Sequence, residues 1–147
     1  MTWVEASCDF WGEAFSPSFA EERTGLHFAE KNEAGEIGTL GRYKGVPIPY
    51  GSSTLLPPCQ VTIENPVYGL EWLAQAVKQH RQSFEKAGAT RIVLDLNVSH
   101  DGQCNLEFGG GLLRKIAESG VTLTVSCYEN AEYVERKLQK ARREGSG

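Results

Sequence analysis

Residues 91–129, RIVLDLNVSHDGQCNLEFGGGLLRKIAESGVTLTVSCYE, constrain the fold more than any other part of the chain. Ile92, Leu94, Leu96 and Val98 alternate with Val93, Asp95, Asn97 and Ser99. Cys104, Leu106 and Phe108 alternate with Gln103, Asn105 and Glu107, and Val121, Leu123, Val125 and Cys127 with Thr122, Thr124, Ser126 and Tyr128. A period of two with one apolar and one polar side is the pattern of strands buried on one face. A two-residue turn at Asp101-Gly102 would put the apolar residues of the first two runs on opposite faces, because a one-residue slip flips every side chain. A three-residue loop, His100-Asp101-Gly102, pairs Val98 with Cys104 and Leu96 with Leu106, and Gly102 supplies the left-handed residue such a loop needs. The expectation is therefore a hairpin with a glycine bulge, with His100 as a turn residue.

The rest of the chain supplies elements of both kinds. Residues 2–10 form a first strand, with Val4, Ala6, Cys8 and Phe10 on one side and Trp3, Glu5, Ser7 and Asp9 on the other. Ser16-Pro17 opens a short helix that Gly25 ends. Residues 60–64 read as a strand with Val61 and Ile63 inward, broken by Pro66 and Gly69. Residues 70–87 carry the stripe Leu70, Leu73, Ala74, Val77, Arg81 and Phe84 of an amphipathic helix, with Gly88 as its stop. Residues 110–119 form a further helix ended by Gly120, and 130–143 a last one capped by Asn130. The stretch from Phe15 to Gly25 resembles that from Phe108 to Gly120, each an aromatic, small capping residues, a short helix and a glycine. That duplication points to the ferredoxin-like class of α+β folds: a mainly antiparallel sheet with helices on one face. Residues 1–144 are expected to form one α+β domain and 145–147 a frayed tail. Residues 30–58, rich in glycine and proline, form a long loop, with 39–43 and 46–50 as short extended pieces; loops of this length are often functional.

Composition narrows the function classes. The net charge is −4, yet residues 132–144 carry five basic and three acidic residues, so the rest of the chain carries −6. An acidic body argues against nucleic-acid binding and for basic partners. No apolar run approaches the ~18 residues of a membrane span, and no secretory signal precedes the first strand, so the expected location is the cytoplasm. Cys8, Cys59, Cys104 and Cys127 form no C-x-x-C pair, and three of them fall at inward strand positions, which suits reduced structural thiols and no metal site.

No catalytic set is present: there is no G-x-S-x-G elbow, no deaminase or H-E-x-x-H pattern, and no P-loop. Neither catalytic residues nor a cofactor are expected. The glycine-rich segment GEIGTLGRYKG places Arg42, Tyr43 and Lys44 together as a basic, aromatic patch able to hold a phosphate or an acidic partner. The polar sides of the strands gather Glu5, Asp9, Asp95, Asn97, Asn105 and Glu107, with Trp3 and Tyr128 as aromatic anchors of the kind interfaces favour. Such a surface suits a basic protein partner, steered to it electrostatically.

Three segments, FxPxFAEERTGL near the start, GRYKGVPIPYGSSTL and GQCNLEFGGGLLRKIAESGVTLTVSCYE, resemble an uncharacterised bacterial family of small α+β domains, a domain of unknown function. Its members occur in phage and toxin-neighbourhood genes and include proposed immunity proteins. The resemblance covers residues 2–129 and implies a small cytosolic binder without an active site. It makes a toxin-immunity protein the leading expectation. The alternatives are a phage-derived or defence-related inhibitor, and a small-ligand-binding or enzymatic domain built on the glycine-rich loop.

Overall fold

A computed structural model describes residues 1–64 and 67–145, with the side chains of residues 63 and 64 left aside. Among the described residues, the strands β1 (Thr2–Gly12), β2 (Glu30–Asn32), β3 (Gly51–Leu55), β4 (Arg91–His100) and β5 (Thr122–Glu129) form one five-stranded sheet in the order β2-β3-β1-β4-β5. The helices are α1 (Pro17–Thr24), α2 (Cys59–Glu64), α3 (Leu70–Lys86), α4 (Gly110–Ser119) and α5 (Ala131–Gly145), with one 3-10 turn at Gly41–Tyr43. The chain is thus α+β with a mixed sheet. β1 and β4 run antiparallel from Thr2 opposite His100 to Trp11 opposite Arg91, β3 is antiparallel to β1 and to β2, and β4 and β5 are parallel.

Local chemistry sets the helix ends. The Ser16 hydroxyl accepts from the Phe19 N–H, Pro17 stands in the first turn, and the Gly25 N–H donates to the Glu21 carbonyl from a left-handed conformation. The Asn130 side chain accepts from the Tyr133 N–H at 3.0 Å and caps α5. α3 buries Leu70, Leu73, Ala74, Val77 and Phe84, and α4 buries Leu112 and Ile116. These faces meet the inward residues Ala6, Cys8, Phe10, Leu55, Ile92, Leu94, Leu96 and Val98 in one core. Phe10 sits at its centre, 4.3 Å from Phe84 and 5.5 Å from Phe28 between ring centroids. The half-buried Arg81 on the α3 stripe donates to the Ser119 carbonyl at the end of α4, and Lys78 pairs with Glu118 at 3.0 Å. At the far end of β1 the backbone is packed too closely for side chains: a Cβ on Gly51 would lie 1.8 Å from the Phe15 carbonyl oxygen.

Several expectations are corrected. Residues 103–108 are not a strand, and the hairpin does not form. Gly102 does adopt a positive φ of 77°, but His100 ends β4 and contacts the Gly102 carbonyl oxygen through Nδ1. The extended segment instead lays Cys104, Leu106 and Phe108 against the core, and β5 takes the edge of β4 after α4 crosses back. Any extended chain lying on an apolar surface shows period two, whether or not it is hydrogen-bonded to a strand. Residues 60–64 belong to α2, not to a strand: the Thr62 N–H donates to the Pro58 carbonyl, and Pro57-Pro58 stand immediately before the first turn, at Cys59. Pro66, expected as its breaker, lies outside the described residues. Residues 39–43 turn through a 3-10 helix, and Gly38 and Ile37 reach Lys44 and Pro47 only by isolated bridges. β2 and β3 arise inside the stretch expected to be a loop.

Of the cysteines, only Cys8 is buried; Cys104 is half-buried and Cys127 is exposed with Val125 on the edge strand. Burial pushes the Cys8 thiol far above its ordinary range, which keeps it unreactive. Gly145 lies within α5, and residues 146–147 fall outside the description. Because β4-α4-β5 is a parallel unit and α5 packs against β1 and β4 opposite the other helices, a ferredoxin-like arrangement is not confirmed.

Candidate functional site

Side-chain parity places Trp3, Glu5, Ser7, Asp9 and Trp11 of β1 on the sheet face opposite α1, α3 and α4, with Asp95 and Asn97 of β4 and Thr54 of β3 beside them. Thr124 and Tyr128 of β5 share that face. The expected residues Trp3, Glu5, Asp9, Asp95, Asn97 and Tyr128 are therefore brought to one face. Asn105 and Glu107 are not: they are exposed on the segment whose alternate residues pack on the core. The missing hairpin removes them from the site.

α5 divides this face in two. Over the end of β1, the Tyr133 hydroxyl donates to Glu5 at 3.1 Å, Lys137 pairs with Glu5 at 3.2 Å, and the same ammonium stands 5.8 Å from the Trp3 ring. Val134 is fully buried. Trp3 and Glu5 are thus engaged inside the molecule. Partial burial pulls the Glu5 carboxyl upward, but the Lys137 ammonium and the Tyr133 hydroxyl that donate to it outweigh this, and its pKa is lowered from the ordinary 4.5. The Glu5 hydrogen bond in turn raises Lys137 above 10.5. Glu5 therefore stabilises the docked helix fully above pH 4.5, and this contribution is lost as pH falls through the lowered value. Lys137 stabilises it below pH 10.5, with loss on the alkaline side. Glu5→Gln is expected to weaken α5 docking by roughly 0.2–1 kcal/mol, the range for a solvent-accessible pair. Faster amide exchange confined to residues 131–145 at pH 7 is the expected signature; unchanged exchange there would contradict the latch.

Beyond α5 the face is open, and its carboxylates outnumber the one cation that the β1–β4 register places on it, Arg91 opposite Trp11. Asp9 accepts the Thr54 hydroxyl at 2.8 Å, and Asp95 accepts Thr124 at 2.5 Å and Asn97 at 3.1 Å. Among the described residues, no cation forms an ion pair with Asp9, Asp95 or Glu30. Burial raises the Asp9 carboxyl; the Thr54 hydrogen bond opposes this, while the charges of Asp95 and Glu30 push the same way, and the net shift is upward from 3.8. A carboxyl with a raised pKa costs stability once ionised. Asp9→Asn, which keeps an acceptor for Thr54, should raise the melting temperature at pH 7 and leave it unchanged near pH 3, where the wild-type carboxyl is already protonated. A lower melting temperature at pH 7 would contradict the repulsion.

The other end of the open face has an aromatic wall that the sequence reading missed. Trp11 is exposed and lies 5.6 Å from Tyr50, and Tyr50 meets Tyr43 edge-on at 5.8 Å. Arg42 stands 5.6 Å from the Tyr43 ring. Of the loop residues Arg42, Tyr43 and Lys44, Tyr43 thereby joins the sheet face, while Lys44 is exposed in the turn. Glu30, Thr54 and Tyr50 also went unrecognised, because β2, β3 and the residue before β3 lie within a stretch that reads as a loop. One signal was available: Trp11 continues the Trp3, Glu5, Ser7, Asp9 alternation by one step.

Among the described residues, no group of histidine, cysteine or acidic side chains is arranged to hold a metal ion, and no helix is long and apolar enough to cross a membrane. No family model, no curated protein and no solved structure matches the chain.

Proposed function

We propose that this chain is a non-enzymatic binding protein that neutralises a basic protein partner, of the toxin-immunity kind, by laying its acidic sheet face over the partner's cationic surface. The observation that carries the reading is the set of carboxylates Asp9, Asp95 and Glu30, without an ion-pair partner among the described residues, on an open face beside the exposed Trp11. Uncompensated like charges repel one another and destabilise the free protein; a cationic partner relieves that repulsion on binding. Trp11, backed by Tyr50 and Tyr43, supplies the rigid aromatic anchor that interfaces concentrate their energy on. The size and acidity of the chain and its resemblance to proposed immunity proteins favour a toxin as the partner.

Affinity capture from cells that carry the gene tests this reading. Wild-type protein and Arg23→Glu, altered on the exposed side of α1, should retain the same basic polypeptide. Asp9→Lys/Asp95→Lys should lose it. Retention by the doubly reversed variant would overturn the assignment of the face.

A further inference from the structure

We propose that the edge of β1 over Thr2–Ser7 is a strand-addition site for an extended, basic segment of a protein partner, adjoining the acidic face, with which it shares Glu30.

The ladder geometry shows which backbone groups are free. Met1 and Asp101 exchange both hydrogen bonds, Met1 N to Asp101 O at 3.0 Å and Asp101 N to Met1 O at 2.8 Å. In an antiparallel ladder such pairs alternate, so Trp3, Glu5 and Ser7 turn their N–H and C=O groups toward β4, while Thr2, Val4 and Ala6 turn theirs to the other side. From Cys8 onward that side is filled by β3. Before Cys8, no strand among the described residues pairs with it.

The chain stops filling the edge for a chemical reason. Continuing the register in which Cys8 faces Leu55 would bring Pro57 opposite Ala6. Proline has no N–H to give to a ladder, and Pro57-Pro58 leads the chain away into α2. A groove of about 420 Å³ is left along the edge, lined by Trp3, Val4, Ala6, Leu56, Pro57 and Tyr68. Residues of both strand parities line it, because it opens along the edge and not along one face.

Sheet edges are normally blunted by lysine, proline or bulges; residues 2–7, TWVEAS, carry none of these. The occupant is specified by what the edge offers. A row of N–H and C=O groups at strand spacing is satisfied by another extended backbone, and the apolar groove takes its alternate side chains. The charge at the rim is negative: Glu30 lines the groove with no ion pair among the described residues. A basic segment of a protein partner complements that charge.

The experiment uses the full chain and a capped hexapeptide of alternating valine and lysine, with amide exchange read by NMR. In the free protein the Val4 and Ala6 amides should exchange faster than those of Trp3, Glu5 and Ser7, Val4 the faster of the two because only 6% of Ala6 is exposed. Adding the peptide should slow exchange at Val4 and Ala6 at least tenfold. The same peptide N-methylated at every peptide bond should have no effect. Val4→Pro removes an edge-facing N–H together with a side chain that packs on the core; where its thermal melt shows a folded protein it should abolish the protection, and if it fails to fold, the N-methylated peptide still decides. No protection, equal protection by the N-methylated peptide, or protection that grows with protein concentration alone would overturn the proposal. The readout lies at Val4 and Ala6, so failure here leaves the Asp9 and Asp95 reading untouched.

Discussion

Alanine in place of Gly51 is expected to destabilise the protein by roughly 3 kcal/mol or more, at the upper end of the cost of overpacking. The added Cβ would stand 1.8 Å from the Phe15 carbonyl oxygen. That oxygen belongs to the backbone that turns β1 into α1, so no side-chain rotation can relieve the clash. Gly51 is also the residue paired with Gly12 at the end of the β1–β3 ladder, where a Cβ on Gly12 would itself lie 2.1 Å from the Gly88 carbonyl oxygen. Three backbone segments meet there without side chains between them. In a domain of this size the loss corresponds to a melting temperature lower by about 10 °C. Gly111→Ala is the control. It lies in the first turn of α4, and a Cβ there meets nothing within 4 Å. It should stabilise by about 0.4–1 kcal/mol, through the reduced freedom of the unfolded chain. Equal effects of the two substitutions in thermal melts would show that the close approach is not real.

The second large effect concerns the open face. Reversing Asp9 and Asp95 to lysine converts the centre of an acidic surface into a basic one. Against a cationic partner this is expected to weaken binding roughly hundredfold or more, about 2.8 kcal/mol at 1.4 kcal/mol per factor of ten. The loss should fall partly on the association rate, because steering acts before contact, and the difference between wild type and variant should shrink as salt is added. The fold should survive. Both carboxylates are held only by hydroxyl and amide donors, and Asp9 is already burdened by the charges of Asp95 and Glu30. A thermal melt of the double variant separates lost binding from lost folding.

Much of this architecture is legible in the sequence where the signal is local. Ser16-Pro17, Gly25, Gly120 and Asn130 mark helix ends by their own chemistry, and the structure places caps and stops there. The alternation in β1 and β4 survives because both faces of those strands meet different surroundings over ten residues. What failed was non-local. Cys104, Leu106 and Phe108 alternate because they lie on the core, and alternation alone does not say whether a strand lies beside them. Residues 51–55, GSSTL, read as a loop; they become a strand because β1 and β2 supply partners on both sides. The same limit governs the site. Asp9 and Asp95 were found by parity, Asn105 and Glu107 were added by a hairpin that does not exist, and Trp3 and Glu5 turned out to be engaged by α5. Nothing in the pattern of residues 130–143 shows which sheet face that helix will cover.

The central claim is that the open face of Asp9, Asp95, Glu30 and Trp11 binds a basic protein. Its most direct test is the association rate constant of the captured partner at low ionic strength, measured for wild type and for Asp9→Lys/Asp95→Lys. The account predicts a rate at least tenfold lower for the variant, with the two rates converging as salt rises. Equal rates at low ionic strength, in a variant that melts normally, would contradict it.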